Sequence, residues 1–303
     1  MKRRTFAHFS AFALAASCLL PTLASAAEPL PVVASFSILG DLVKVVGGDR
    51  VKVTTLVGPN EDAHAFEPKP ADAKAILAAK VFAINGFNFE PWAQKLSKSA
   101  NYKGITLVTS IGIKPRSMPA EKGHAHAETD PHAWQDPTHV AVYVKNIAKS
   151  LSSADPAGTD SYQKNSDAYI AELTALDQFA KEQFATIPAA KRQVITSHDA
   201  FGYFAARYQI KFLAPQGINA DAEPSAKEVA MLIRQIKRDK TRAVFVENMS
   251  NPALLAQITQ DTGVTLGPKL YVDALSGPTE PGSSYLKMMR HNITQLVAGM
   301  RLN

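Results

Sequence analysis

The chain has 303 residues, 33 basic and 27 acidic side chains and a formal net charge of +6. Hydrophobic residues make up 46% and the only cysteine is Cys18, so the chain can bury a substantial core without a disulfide framework. Length alone suggests two domains of ~100–200 residues each, and nothing in the charge balance calls for nucleic acid.

The first residues set the compartment. Lys2, Arg3 and Arg4 form a basic start, residues 11–20 are small or apolar, and Ala24-Ser25-Ala26 offers the small-residue pattern of a cleavage site. Residues 1–26 are therefore expected to be a signal peptide, cut after Ala26, with the mature chain released into the periplasm. The competing reading is a lipoprotein signal ending at Cys18, which follows Ala15-Ala16-Ser17; the apolar run continues past it through Leu19 and Leu20. Cleavage after Ala26 removes Cys18 and the three basic residues, leaving 30 bases against 27 acids, a net +3.

From there short β-branched runs alternate with helical patterns, the mark of βα units on a parallel sheet. Strands are expected at 31–36, 51–57, 81–85 and 105–108, with helices at 38–46, 70–79 and 91–99 between them. Residues 115–129 carry Pro115, Pro119, Gly123, His124 and His126 without hydrophobic period and read as a mobile loop. Beyond Pro137 the pattern turns helical, with Val140, Tyr143, Val144, Ile147 and Leu151 on one stripe. After a break at Asp155-Pro156 a long helix over 159–186 has no strand beside it and reads as a rigid connector. The alternation then resumes, with strands at 193–196, 211–214 and 243–247 and a weaker one at 264–266. Helices are expected at 200–208, 225–239, 252–262 and 284–301. The expected division is a first lobe over 27–157, a linking helix over 158–187 and a second lobe over 188–303.

Four side chains fall at or beyond the C-terminal ends of these strands, where open α/β sheets bind ligands: His64, His132, His198 and Asp273. Two come from each half, which suits a cleft between lobes. Singly each has an ordinary explanation: a histidine satisfied in a core, or a loop aspartate. Asp62, Asp130 and Asp199, each near a histidine, read as helix caps. Glu247, ending the 243–247 strand, reads either as a partner that orients His198 or as a cap for the next helix.

The segments Glu61-Asp62-Ala63-His64-Ala65-Phe66-Glu67-Pro68, Asp130-Pro131-His132-Ala133-Trp134-Gln135-Asp136-Pro137, Ser197-His198-Asp199-Ala200-Phe201-Gly202-Tyr203-Phe204 and Tyr271-Val272-Asp273-Ala274-Leu275-Ser276 resemble the substrate-binding proteins of zinc and manganese ABC importers. The resemblance covers essentially the whole mature chain. It implies two Rossmann-like α/β lobes, each with a mostly parallel sheet of about four strands, joined by one long α-helix. The metal would sit between the lobes on His64, His132, His198 and Asp273. It also implies a non-catalytic protein, a membrane permease with its cytoplasmic ATPase as partners, a periplasmic metallochaperone as a further one, and a monomer. Ala63 stands where the family often has proline, which would loosen the loop carrying His64.

Three imidazoles and one carboxylate suit four-coordinate Zn²⁺. Manganese members resemble a more oxygen-rich set, with glutamate where His198 stands, so the expected cargo is Zn²⁺ with Mn²⁺ as the alternative. The pair His124 and His126, with Glu128, resembles the histidine-rich loop of zinc members and reads either as a transient metal holder or as an ordinary solvated loop. A secreted zinc hydrolase is a second alternative, and an adhesin or structural surface protein with incidental metal a third. Catalytic zinc keeps an open position beside three protein ligands, and four candidates here would close the shell.

Overall fold

The computed structural model describes residues 28–118, 129–214, 226–249 and 252–303. The expected leader with Cys18 and the pair His124 and His126 lie outside them. The first lobe is a parallel sheet of β1 (Leu30–Phe36), β2 (Val51–Val57), β3 (Val81–Ile84) and β4 (Ile105–Val108) in the order β2-β1-β3-β4. Strands β1 and β3 are central, and their runs Val32–Phe36 and Val81–Ile84 are buried on both faces, as continuous apolar sequence requires. Edge strand β2 instead alternates, with Lys52 and Thr54 exposed.

Parallel neighbours need helical crossovers, supplied by α1 (Ser37–Gly47), α2 (Pro70–Ala78) and α3 (Pro91–Ser99). Helix α1 ends where Gly48 takes a left-handed φ of 54°, a conformation glycine adopts without steric cost. The strand order reverses between β1 and β3, which opens a crevice at their C-terminal ends.

Helix α4 (Pro137–Ala154) starts on a strong stop-and-start signal. The Asp136 side chain accepts from the Thr138 N–H at 2.8 Å, and Pro137 occupies the first turn, where its missing N–H costs nothing. Helix α5 (Thr159–Ala185) has 27 residues, about 40 Å at 1.5 Å per residue. It does link the two halves, but it is not freestanding. Its face of Tyr162, Tyr169, Leu173, Leu176, Ala180 and Phe184 is buried, and it packs along α4, α1 and the final helix α9 (Tyr285–Met300).

The second lobe repeats the first in smaller form. Strands β5 (Gln193–Ile195) and β6 (Lys211–Leu213) pair in parallel. Val244 bridges Ile195 on one side and Leu266 on the other, and Glu247 bridges Leu270. The order is therefore β6, β5, the 243–247 segment, then the 264–270 segment, the same as in the first lobe. The last two are joined by isolated bridges rather than a continuous ladder, because Val244 to Glu247 spans three steps where Leu266 to Leu270 spans four, so one extra residue interrupts the register. Helices α6 (Gly202–Tyr208), α7 (Ala226–Asp239) and α8 (Pro252–Thr262) complete this half.

The core does not follow the division into lobes. One apolar cluster runs from β1 and α1 through α4 and α5 into Leu270, Val272, Leu275 and the α9 residues Tyr285, Met289, Ile293 and Leu296. A second, smaller cluster of Ile195, Leu232, Ile236, Val244 and Ile258 lies under α7 and α8. No helix among the described residues is long and apolar enough to cross a membrane.

Candidate metal centre

The histidines His64 and His132 follow β2 and β4, while His198 follows β5 and Asp273 follows the 264–270 segment. The loops beyond the C-terminal ends of these strands, two from each lobe, bring all four residues together in the cleft. One ligand atom from each lies within 4.8 Å of the other three. Asp273 Oδ2 is the hub, 3.1 Å from His198 Nε2, 3.4 Å from His64 Nε2 and 3.7 Å from His132 Nε2. A tetrahedral ion with bonds of about 2.0–2.1 Å sets its ligand atoms about 3.3 Å apart. Those three distances bracket that value.

The centre is dry. His132, His198 and Asp273 are fully buried and His64 nearly so. Phe36, Phe89 and Trp134 back it, with the Trp134 ring 4.7 Å from Phe89 and 5.3 Å from His132, and Phe89 4.5 Å from His64. Inside this apolar wall His64 Nε2, His132 Nε2 and Asp273 Oδ1 have no hydrogen-bond partner among the described residues. Buried polar atoms left this way cost free energy, and their convergence on one point is what a missing cation would satisfy.

Charge couples the same atoms. Burial opposes an imidazolium at His132, but Asp273 and Asp130 outweigh it and hold its pKa up at about 9. At His198 burial again opposes the charged form, and Glu247 with Asp273 drives the pKa well above the ordinary histidine value. Burial also works against a charged Asp273, yet the two imidazoles keep it well below the usual carboxylate range. Without metal, the surrounding carboxylates thus favour the imidazolium forms of His132 and His198 about Asp273.

Each lobe supplies its own means of aiming a histidine. Asp62 Oδ1 accepts from the His64 N–H at 2.7 Å, and Asp130 Oδ1 accepts from the His132 N–H at 3.0 Å. Both are Asx turns of the same Asp-x-His form. Asp130 Oδ1 also meets His132 Nδ1 at 2.9 Å, so the imidazole turns Nε2 toward the cleft. The expectation that Asp62 and Asp130 cap helices is therefore corrected, since the repeated Asp-x-His spacing makes turns that aim the histidines. Glu247 accepts from the Ser197 N–H at 2.9 Å and the His198 N–H at 3.2 Å, and its other oxygen bonds His198 Nδ1. Of its two readings, the partner of His198 is the one observed. The His64 loop is not loosened at Ala63, because the Ala63 carbonyl accepts from Trp92 Nε1–H at 2.7 Å and Ala63 is buried.

The Asp273 loop is held from the first lobe as well as its own. Trp134 Nε1–H and Gln135 Nε2–H both donate to the Val272 carbonyl, at 2.9 and 3.0 Å. The Leu275 N–H donates to Ser37 Oγ at 2.9 Å, and the Leu275 carbonyl accepts from the Asn60 N–H at 2.9 Å. Sequence reasoning missed this clamp, for backbone carbonyls carry no signature. The 115–129 segment closes at its base, where Ser117 bridges Thr129 in antiparallel fashion and the Arg116 carbonyl accepts from the Asp130 N–H at 2.8 Å.

The family model described as zinc-uptake complex component A, periplasmic, matches residues 32–299. The chain belongs to that family. The metal ABC transporter substrate-binding lipoprotein SloC of Streptococcus mutans is 32% identical over 280 residues, covering 91% of this chain and 92% of its own. The structure of the periplasmic zinc binding protein TroA from Treponema pallidum matches with a TM-score of 0.84 at 26% identity, over 90% of this chain and 99% of its own. The Mn-bound periplasmic metal binding protein from Candidatus Liberibacter asiaticus matches with a TM-score of 0.81 at 29% identity, over 90% of this chain and 100% of its own. The chain is a substrate-binding component of a metal importer and not an enzyme.

Proposed function

We propose that the protein captures Zn²⁺ outside the cytoplasmic membrane on His64, His132, His198 and Asp273 and hands it to an ABC-type permease driven by its ATPase. The observation that carries this reading is the convergence of three imidazole nitrogens and one carboxylate in a buried cleft, three of the four residues with orphaned atoms. Nitrogen-rich, four-coordinate surroundings favour Zn²⁺ over Mn²⁺, which prefers carboxylate and water. The second reading is Mn²⁺ as cargo, supported by the Mn-bound relative of the same fold. Two lobes over 27–157 and 188–303, with 158–187 as the link, are the frame of this proposal.

The test is to strip the protein with chelator and follow thermal unfolding while titrating Zn²⁺ and Mn²⁺ separately. An ion that binds only the folded state raises the midpoint by mass action. Stabilisation by Zn²⁺ at one equivalent, absent in His198→Ala, is the expected result. A larger shift with Mn²⁺ transfers the reading to that metal, and no shift with either refutes the centre.

Placement in the periplasm follows from the leader read in sequence, with a lipid anchor on Cys18 as the alternative that the lipoprotein relative supports. The intact mass of the mature chain separates cleavage after Ala26 from an acylated Cys18.

A further inference from the structure

One side chain that is not a ligand touches the segments that carry the ligands from both lobes. Asn248 directly follows Glu247, the partner of His198. Its Oδ1 accepts from the Val272 N–H at 3.3 Å and its Nδ2 donates to the Ala274 carbonyl at 3.2 Å, so the amide spans Asp273 from one side to the other. The same Nδ2 donates to Asn60 Oδ1 at 2.9 Å. Asn60 lies in the loop of the first lobe that leads to His64, four residues on, and has a left-handed φ of 58°. The Asn248 backbone N–H is fixed in turn by the Leu270 carbonyl at 2.9 Å.

An amide is the side chain this place requires, because one planar group must donate and accept at once. Aspartate has no donor for Asn60 Oδ1 and Ala274, and an aliphatic residue has neither function. Asn248 is only half buried, and its bond to Asn60 lies at the exposed rim of the cleft. Of the contacts joining the lobes around Asp273, this side-chain pair is open to water, whereas Trp134, Gln135 and Ser37 bond from buried positions.

We infer that Asn248 is a positioning residue that sets the rate of metal release. Its bond to Asn60 is a latch between the His64 loop and the His198–Asp273 side, and it must break before the two sets of ligands separate. This rests on the metal-capture reading above. A partly exposed hydrogen bond changes a rate by roughly five- to tenfold when lost.

The experiment loads the mature protein with Zn²⁺, mixes it with excess chromogenic chelator and follows release. Asn248→Ala removes the latch and the Asp273 contacts. Asn60→Gly removes only the latch acceptor and tolerates the positive φ. Each is expected to release metal about fivefold faster or more, with association rates within about twofold of wild type. In the Asn248→Ala background Asn60→Gly is expected to add nothing further, a non-additivity that a general loss of stability would not produce. Unchanged release from either single variant, or multiplying effects in the double, overturns the latch while leaving metal capture intact. A wild-type protein that takes up no Zn²⁺ overturns the capture reading and the latch with it.

Discussion

Replacing Glu247 by glutamine tests how the second lobe prepares its histidine. The carboxylate receives three donors, the Ser197 and His198 N–H groups and His198 Nδ1. It therefore keeps the proton of a neutral His198 on Nδ1 and leaves Nε2 free for metal. Glutamine is the same size but has one acceptor. If its oxygen stays with the two backbone N–H groups, its NH2 faces Nδ1, the imidazole changes tautomer and Nε2 carries the proton toward Asp273. If the amide turns over, Nδ1 keeps its acceptor and two buried N–H groups face an NH2. Either way a charge-assisted bond, about 1.5–3 kcal/mol, is exchanged for a neutral one or none, a net loss of about 2 kcal/mol. Affinity should fall about 30-fold, inside the ~10–100-fold range for partners of metal-binding histidines. Competition against a chelator of known strength reads this directly. Binding within threefold of wild type would refute the account of how His198 is prepared.

The remaining predictions concern protons and space. Because His132 is held at about 9 in the metal-free protein, Zn²⁺ must displace at least one proton below that pH. Affinity at pH 6 is expected to be lower than at pH 8 by about a hundredfold or more, and a flat profile would contradict the coupled cluster. Stability without metal should run the other way. The contribution of His132 is full below its unfolded value of 6.5 and disappears as pH rises through about 9, so the metal-free melting point should fall between pH 6.5 and 9. Burial raises Glu90 to about 7 against the hydrogen bonds of Asn85, Ser35 and Gly86. Its proton is therefore stabilising below 4.5, and that benefit, on the order of 3 kcal/mol, is lost by about pH 7. Denaturant titrations of Glu90→Gln should lack this slope. A Cβ on Gly202 would stand against Asp130 Oδ2 and 2.7 Å from Arg116 Nε. Gly202→Ala should therefore push Asp130 off His132, costing about 1–3 kcal/mol of stability and about tenfold in affinity; calorimetry matching wild type would refute the close approach.

Much of this was legible from residue order, for reasons that differ from place to place. The strands and helices of the first lobe fall within a residue or so of expectation, because β1 and β3 are unbroken apolar runs and Pro70, Pro91 and Pro137 mark helix starts. The four cleft residues stood out by falling at or beyond expected strand ends, but singly each kept an ordinary reading, and only the resemblance of the segments around them joined them into one set. The second lobe was harder: β5 and β6 have three residues each, and its other two segments are joined only by isolated bridges. The aiming role of Asp62 and Asp130 was open to discovery in their shared spacing to histidine, yet a capping aspartate has the same local sequence. The grip of Trp134, Gln135 and Ser37 on the Asp273 loop had no trace, since its other side is peptide backbone.

The continuity of the core through α9 bears on how the chain comes to be folded. Tyr285, Met289, Ile293 and Leu296 belong to the same core, and their helix packs on α5 and α1, so the first half of the polypeptide lacks part of its own interior until the last helix arrives. Closure of the interior is therefore a late event, completed only when the C-terminal helix docks, which ties the folding of the first half of the chain to the last.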